Sequence, residues 1–177
     1  MSSNALLLIG HSTISSFTQA GAGALVASNL YDSSYENLLS MHRWRFATGK
    51  APLSRLTATP LNDWTYAFQL PADYMLLNRV IPNSDFEIFE GKVYSNEPTL
   101  DIDYVYKPAE SELPAYFIKL MEYYLASQFA IPVTDNSAKA QLYATMYEAQ
   151  LRRAKFADAS SRPPDPIADS QFWDARN

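Results

Sequence analysis

The sequence holds no cysteine, which removes disulfides, thiolate metal sites and cysteine nucleophiles together. It leaves the redox compartment open. Histidine is nearly as scarce: there are two, His11 and His42. A zinc site takes about four ligands from cysteine, histidine or acids, and neither histidine sits in an HExxH or similar spacing. No metal site is expected, and His42 reads as a capping or packing residue near a helix end. No stretch reaches ~18 consecutive apolar residues, so no membrane span is expected. "NALLLIG" is short for a secretory signal, and no basic segment precedes it. The expectation is a soluble protein made and kept in the cytoplasm. Glycine is thin, 5 residues against 11 prolines, so the chain turns on rigid corners more than on flexible ones.

Fingerprints of chemistry are missing as well. There is no P-loop and no G-x-G-x-x-G; the "GAG" of Gly21 to Gly23 lacks the further glycine. There is no G-x-S-x-G elbow. Ser12 beside His11 is adjacency, which does not supply triad geometry. Asp32 and Glu36 share a helix face, but leucine stands where a histidine would complete a site. Asp101 and Asp103 lie on one strand face and imitate a catalytic pair; carboxylates so spaced are usually solvated, and a glycosidase pair also needs a cleft between two acids. The expectation is no enzyme and no cofactor.

What the chain does hold is apolar and aromatic. Apolar residues make up 47% and aromatics 14% of 177 residues, enough for one core with a small satellite. Rings with polar tips favour interfaces as well as cores. The net charge is -5, without a basic block able to clamp nucleic acid.

The start suggests a short helix capped by Ser3 or Asn4. A longer helix is predicted from about Gly23 to His42, with Leu30, Leu38 and Met41 near one face and Tyr31, Tyr35 and Leu39 on the neighbouring stripe. After Gly49 the texture turns to short branched and aromatic runs bounded by Pro, Asn, Asp or Gly. "FEIFEGKVYSN" is the clearest hairpin, turning at Glu90-Gly91-Lys92. "LDIDYVY" alternates, placing Leu100, Ile102, Tyr104 and Tyr106 on one side and Asp101 and Asp103 on a wet side, as in an antiparallel sheet. After Pro108 helical spacing returns. One helix opens near Pro114, carries Phe117, Leu120, Met121, Tyr124, Leu125 and Phe129, and is predicted to stop at Pro132. Another starts near Thr134 or Asn136, with Leu142, Met146, Leu151 and Ala154 lining one side and Arg152, Arg153 and Lys155 suiting its C-terminal dipole.

The predicted fold class is therefore α+β, mainly α: an antiparallel helical bundle formed by 1–49 and 108–159, a small antiparallel sheet inserted at 50–107, and an extended arm at 160–177. Pro163, Pro164 and Pro166 stiffen that arm. It carries Ile167 and ends in Phe172 and Trp173, which either pack on their own chain or dock onto a partner. "HRWRF" sets Trp44 and Phe46 between two arginines. It reads as a brace between helix and sheet, or as a stacking surface for bases.

The order of these pieces carries a resemblance. Ile9-Gly10, Tyr31-Asp32, Leu38-Leu39, Trp44-Arg45-Phe46-Ala47 and Phe68-Gln69-Leu70-Pro71-Ala72-Asp73, followed by "LPAYFIKLMEYYLASQFAIPVT", resemble the tail adaptor proteins of short-tailed bacteriophages. That family is called tail tubular protein A, or head-to-tail connector. The likeness covers about residues 3–158; Phe68 stands where tyrosine is more usual. It implies a structural ring, commonly of twelve copies, in the neck of the virion. The ring would sit below the portal protein, extend the channel through which double-stranded DNA passes without sequence-specific binding, and present a platform to the tail nozzle or tail tube. The arm residues Pro163, Pro164, Pro166, Ile167, Phe172 and Trp173 would grip the portal. Tyr31, Trp44 and Phe46 would brace the helix–sheet joint. The residues leave two other readings open: a protein-binding scaffold that forms no ring, and a nucleic-acid-binding accessory protein acting through "HRWRF".

Overall fold

A computed structural model describes residues 1–60 and 63–160. The arm residues Pro163, Pro164, Pro166, Ile167, Phe172 and Trp173 lie outside the described residues. The fold is mixed α/β, with several helices and two small antiparallel sheets.

Among the described residues four helices and seven strands follow in order. They are α1 (Ser2–Leu8), α2 (Ala22–Ser40), β1 (Thr48–Pro52), β2 (Ser54–Arg55), β3 (Tyr66–Gln69), β4 (Tyr74–Ile81), β5 (Phe86–Phe89), β6 (Lys92–Ser95), β7 (Asp101–Tyr106), α3 (Ala115–Thr134) and α4 (Ser137–Ala159). A 3-10 turn at Arg45–Ala47 joins α2 to β1, and another at Glu110–Glu112 precedes α3. No described helix is long and apolar enough to cross a membrane.

Neither Ser3 nor Asn4 caps α1, whose N-cap is Met1. Ser3 Oγ donates instead to Ile14 O at 2.6 Å, and Asn4 Nδ2 to Glu122 at 2.6 Å. Both side chains tie α1 to other segments, a use that local pattern does not reveal. The far end of α1 is closed from outside. Lys139 Nζ donates to Ile9 O at 2.5 Å and Tyr143 Oη to Leu8 O at 2.6 Å, satisfying carbonyls that a helix end leaves bare. Gly10, at φ 81°, lets the chain turn there.

Pro132 does not stop α3. It sits inside the last turn, and the helix runs on to Thr134. Asp135 ends it by entering the left-handed region at φ 46°, with Asn136 N–H returning to Ala130 O at 3.3 Å. Asn136 then caps α4, its side chain accepting from Lys139 N–H at 2.9 Å. α3 packs along α4, α2 and α1.

The β-rich segment between α2 and α3 holds two sheets rather than one. The first is ordered β1-β7-β4 and the second β2-β3-β6-β5. Ile102, Tyr104 and Val80 of the first, with Leu100 just before β7, pack with Phe68 and Val93 of the second in a satellite core. The hairpin β5–β6 turns on Glu90 and Gly91, at φ 51° and 69°, with Lys92 already paired to Phe89. That is the two-residue turn whose twist suits paired strands.

Strand β7 corrects the alternation drawn from sequence. Its residues Ile102, Asp103, Tyr104 and Val105 are all buried, because Val105 joins the main helical core while its neighbours fill the satellite. β7 is the shared wall of both cores. Asp101 remains exposed, but Asp103 is closed in.

Candidate functional site

The joint between α2 and β1 is built from rings. Trp44 is fully buried and donates its indole N–H to Leu38 O at 2.8 Å, closing the end of α2. Phe117 of α3 lies 5.2 Å from Trp44 and 4.9 Å from Phe46, both edge-on. Such offset contacts add to the burial energy of each ring. Tyr35 continues the chain to Phe117 at 6.1 Å, Tyr31 to Tyr35 at 6.3 Å, and Phe17 to Tyr31 at 5.5 Å. Trp44 and Phe46 thus meet directly, whereas Tyr31 reaches them only through Tyr35 and Phe117. Buried Trp44 has no face on which a base could stack; Arg43 and Arg45 are exposed.

Tyr31 Oη donates to Glu110 at 2.5 Å and Tyr35 Oη to Pro108 O at 2.8 Å. Burial, then the Glu110 carboxylate, raises the Tyr31 phenol well above its ordinary value. Tyr35 is pushed up to about 12, by burial first and by Glu110 and Glu112 second. Burial and Asp158 likewise raise Tyr116.

Asp158, near the end of α4, was not singled out by the sequence pattern. Its carboxylate accepts from the Arg45 backbone N–H at 3.1 Å and from Tyr116 Oη at 2.9 Å. It therefore holds the 3-10 turn of the joint against α3 and α4. A carboxylate at a helix C-terminus opposes the helix dipole, so its burial there requires donors from elsewhere. Its signal in the sequence is position: it stands four residues after buried Ala154, on the inward face. His42 Nε2 lies 3.9 Å from this carboxylate and edge-on to Trp44 at 4.8 Å. Burial, aided by Lys155, holds His42 below its ordinary value against the opposing pull of Asp158. His42 is thus a neutral packing ring near neutral pH.

The other groups considered for chemistry have structural occupations. Lys107 Nζ lies 3.0 Å from Asp32 and 3.1 Å from Glu36, filling the fork between them. His11 Nδ1 is 3.0 Å from Ser12's carbonyl oxygen, not its hydroxyl. Its ring also lies over Gly23, where an added Cβ would meet it at 3.0 Å. Asp103 faces Lys50 on β1 and Arg79 on β4 in register, with Arg79 Nε at 2.8 Å and Lys50 Nζ at 3.8 Å. Among the described residues no cluster of three or more His, Cys, Asp or Glu side chains could hold a metal ion.

Two surfaces stand out by contrast. On α4, Leu142 is 55% and Phe156 77% exposed, with Met146 beside them at 38%. Leu142 and Met146 do not line the inward face; Tyr143, Tyr147, Leu151 and Ala154 do. Each helical residue turns about 100°, so the two sets point apart. Strand β5 is exposed at all four positions and forms one edge of its sheet. Phe86, Ile88 and Phe89 are open there. Isolated apolar residues on a surface are ordinary, but grouped ones mark interaction sites.

No family model matches the chain, and no curated protein is significantly similar to it.

Proposed function

We propose that the chain is a structural adaptor of a bacteriophage virion. It forms a ring below the portal, extends the DNA channel, and docks the tail nozzle or tube. In this reading the helices form a bundle, the paired sheets are an insertion within it, and residues 160–177 are the portal-binding arm. The protein is made in the host cytoplasm and ends in the neck of the particle.

The family resemblance supplies the identity of the assembly. The supporting structural observation is the presence of two unlike apolar faces on one small chain: the outer face of α4 and the edge strand β5. A ring of identical copies joins unlike faces, each copy offering one and receiving on the other. The acidic balance of -5 favours passage of DNA over retention, because phosphate contacts need basic groups.

The test is to mix the purified chain with the cognate portal protein and measure the mass of the product. A salt-resistant complex with several copies per portal is expected. Absence of any such complex would remove the adaptor reading. Removal of residues 161–177 is expected to weaken portal co-sedimentation while helical circular dichroism is kept.

A further inference from the structure

We infer that neighbouring copies meet with the outer face of α4 on one copy against the β5–β6 hairpin of the next. This rests on the ring reading and deepens it by naming the two surfaces that close the ring.

The first argument is shape and apolarity. Leu142, Met146 and Phe156 share one face along about four turns of α4, and Phe156 is the most exposed of the three. β5 offers Phe86 and Ile88, paired with Ser95 and Val93 of β6; directly opposed residues share a face, and Val93 belongs to the satellite core while Phe86 and Ile88 lie at the open edge outside it. An open apolar edge strand is a pairing hazard unless something covers it. The hairpin edge carries no proline between residues 86 and 95 that would blunt it.

The second argument is charge. Between Leu142 and Phe156, α4 carries exposed Arg152 and Arg153 against a single exposed acid, Glu148; Lys155 is half-buried and turned toward His42. From 85 to 92 the hairpin carries exposed Asp85, Glu87 and Glu90 against a single base, Lys92; Glu87 also accepts from Trp64 Nε1 at 2.9 Å and Lys92 lies 3.7 Å from Glu90, which leaves the edge acidic on balance. The two faces are complementary in sign, which favours one docking partner over others and suppresses wrong ones. Hairpin against hairpin would set acids beside acids. A second copy presenting its other face is therefore the occupant that satisfies both patches.

The cysteine-free chain is a clean background for cross-linking. Met146→Cys and Ile88→Cys are introduced into the full chain, singly and together, and oxidised with and without the portal. The double variant is expected to give a ladder of dimers, trimers and larger species. The two single variants, mixed, are expected to give one dimer band and nothing larger. Arg153→Glu should abolish the cross-link in the double variant, and adding Glu90→Lys should restore it. A disulfide dimer from either single variant alone means that a face meets its own copy, and overturns the inference. Cross-linking that appears only after removal of residues 161–177 means that the chain's own arm covers α4, and overturns it too. If the unmodified chain assembles on the portal while no cross-link forms, the ring stands and this interface falls. If the unmodified chain neither self-associates nor joins the portal, both fall.

Discussion

Helices α3 and α4 run side by side and are of similar length, 20 and 23 residues, yet they do opposite things with their apolar side chains. α3 buries Phe117, Leu120, Met121, Leu125 and Phe129 among other helices and the joint. α4 buries only Ala154 and Asp158 completely and leaves Leu142, Met146 and Phe156 outside. α3 has neighbours around most of its circumference; α4 leans on one side only. Apolar content therefore does not state where a helix sits. The same residue types are core in one helix and surface in the next.

Substitutions break this comparison most sharply where burial is complete. Trp44→Ala empties a site that α2 and α3 share and should cost about 3–5 kcal/mol, read as a lower denaturant midpoint. Leu120→Ala in α3 should cost about 2–5 kcal/mol, whereas Leu142→Ala in α4 should change stability by about 0.5 kcal/mol or less. Equal losses in one unfolding assay would mean that the two helices are equally enclosed. Asp158→Ala strands the Tyr116 hydroxyl and the Arg45 N–H, both part-buried; water reaches such groups, so the loss should sit near the low end of the buried-group range, about 1 kcal/mol in all. The same change should raise amide exchange at the 3-10 turn before it affects α1.

The tyrosines sharpen the comparison through pH. Tyr31, Tyr35 and Tyr116 all titrate above their ordinary value of 10.0 in the fold. The unfolded chain loses those protons first, so their contribution is whole below pH 10 and declines as pH rises toward the folded values. Alkaline unfolding should begin above pH 10 and coincide with tyrosinate absorbance. Tyrosinate forming well before unfolding would mean that these rings are open. The smallest effect is at acid pH. His42 is held below 6.5, so the unfolded chain takes up a proton first, and stability should fall slightly as pH drops below that value. His42→Gln should flatten that slope and leave neutral stability nearly unchanged.

Local signals carried much of the element order. Phe117, Leu120, Met121 and Leu125 recur at helical spacing, and that spacing is enough to define α3's inward face. Gly91 marks the hairpin because its tight turn needs backbone at positive φ; the sequence puts the turn at Glu90-Gly91-Lys92, and the pairing of Lys92 with Phe89 shortens it to two residues. The signals failed where partners lie far along the chain. Leu142 and Met146 are apolar at helical spacing, just as α3's core residues are, and only the position of α3 decides that they face out. Pro132 reads as a stop, but a proline removes only its own N–H bond to the preceding turn, and the helix runs two residues further before Asp135 ends it. Asp158 looks like one more charged residue in "RRAKFADAS"; its role depends on Tyr116, 42 positions earlier, and on Arg45, 113 positions earlier. Asp103 alternates like a solvent-facing residue, but Lys50 and Arg79 arrive on both flanking strands and close it in.

By itself the sequence determined which segments become helices and strands and where most of them turn, because spacing, caps and turn residues act over a few positions. It also determined that no thiol chemistry is open to this chain. Tertiary structure alone decided that β7 is a wall between two cores, that Asp158 fastens the joint, and that one face of α4 and one strand edge stay uncovered. Those outcomes depend on which surfaces come together, and burial belongs to the pair of surfaces that meet rather than to either stretch of chain.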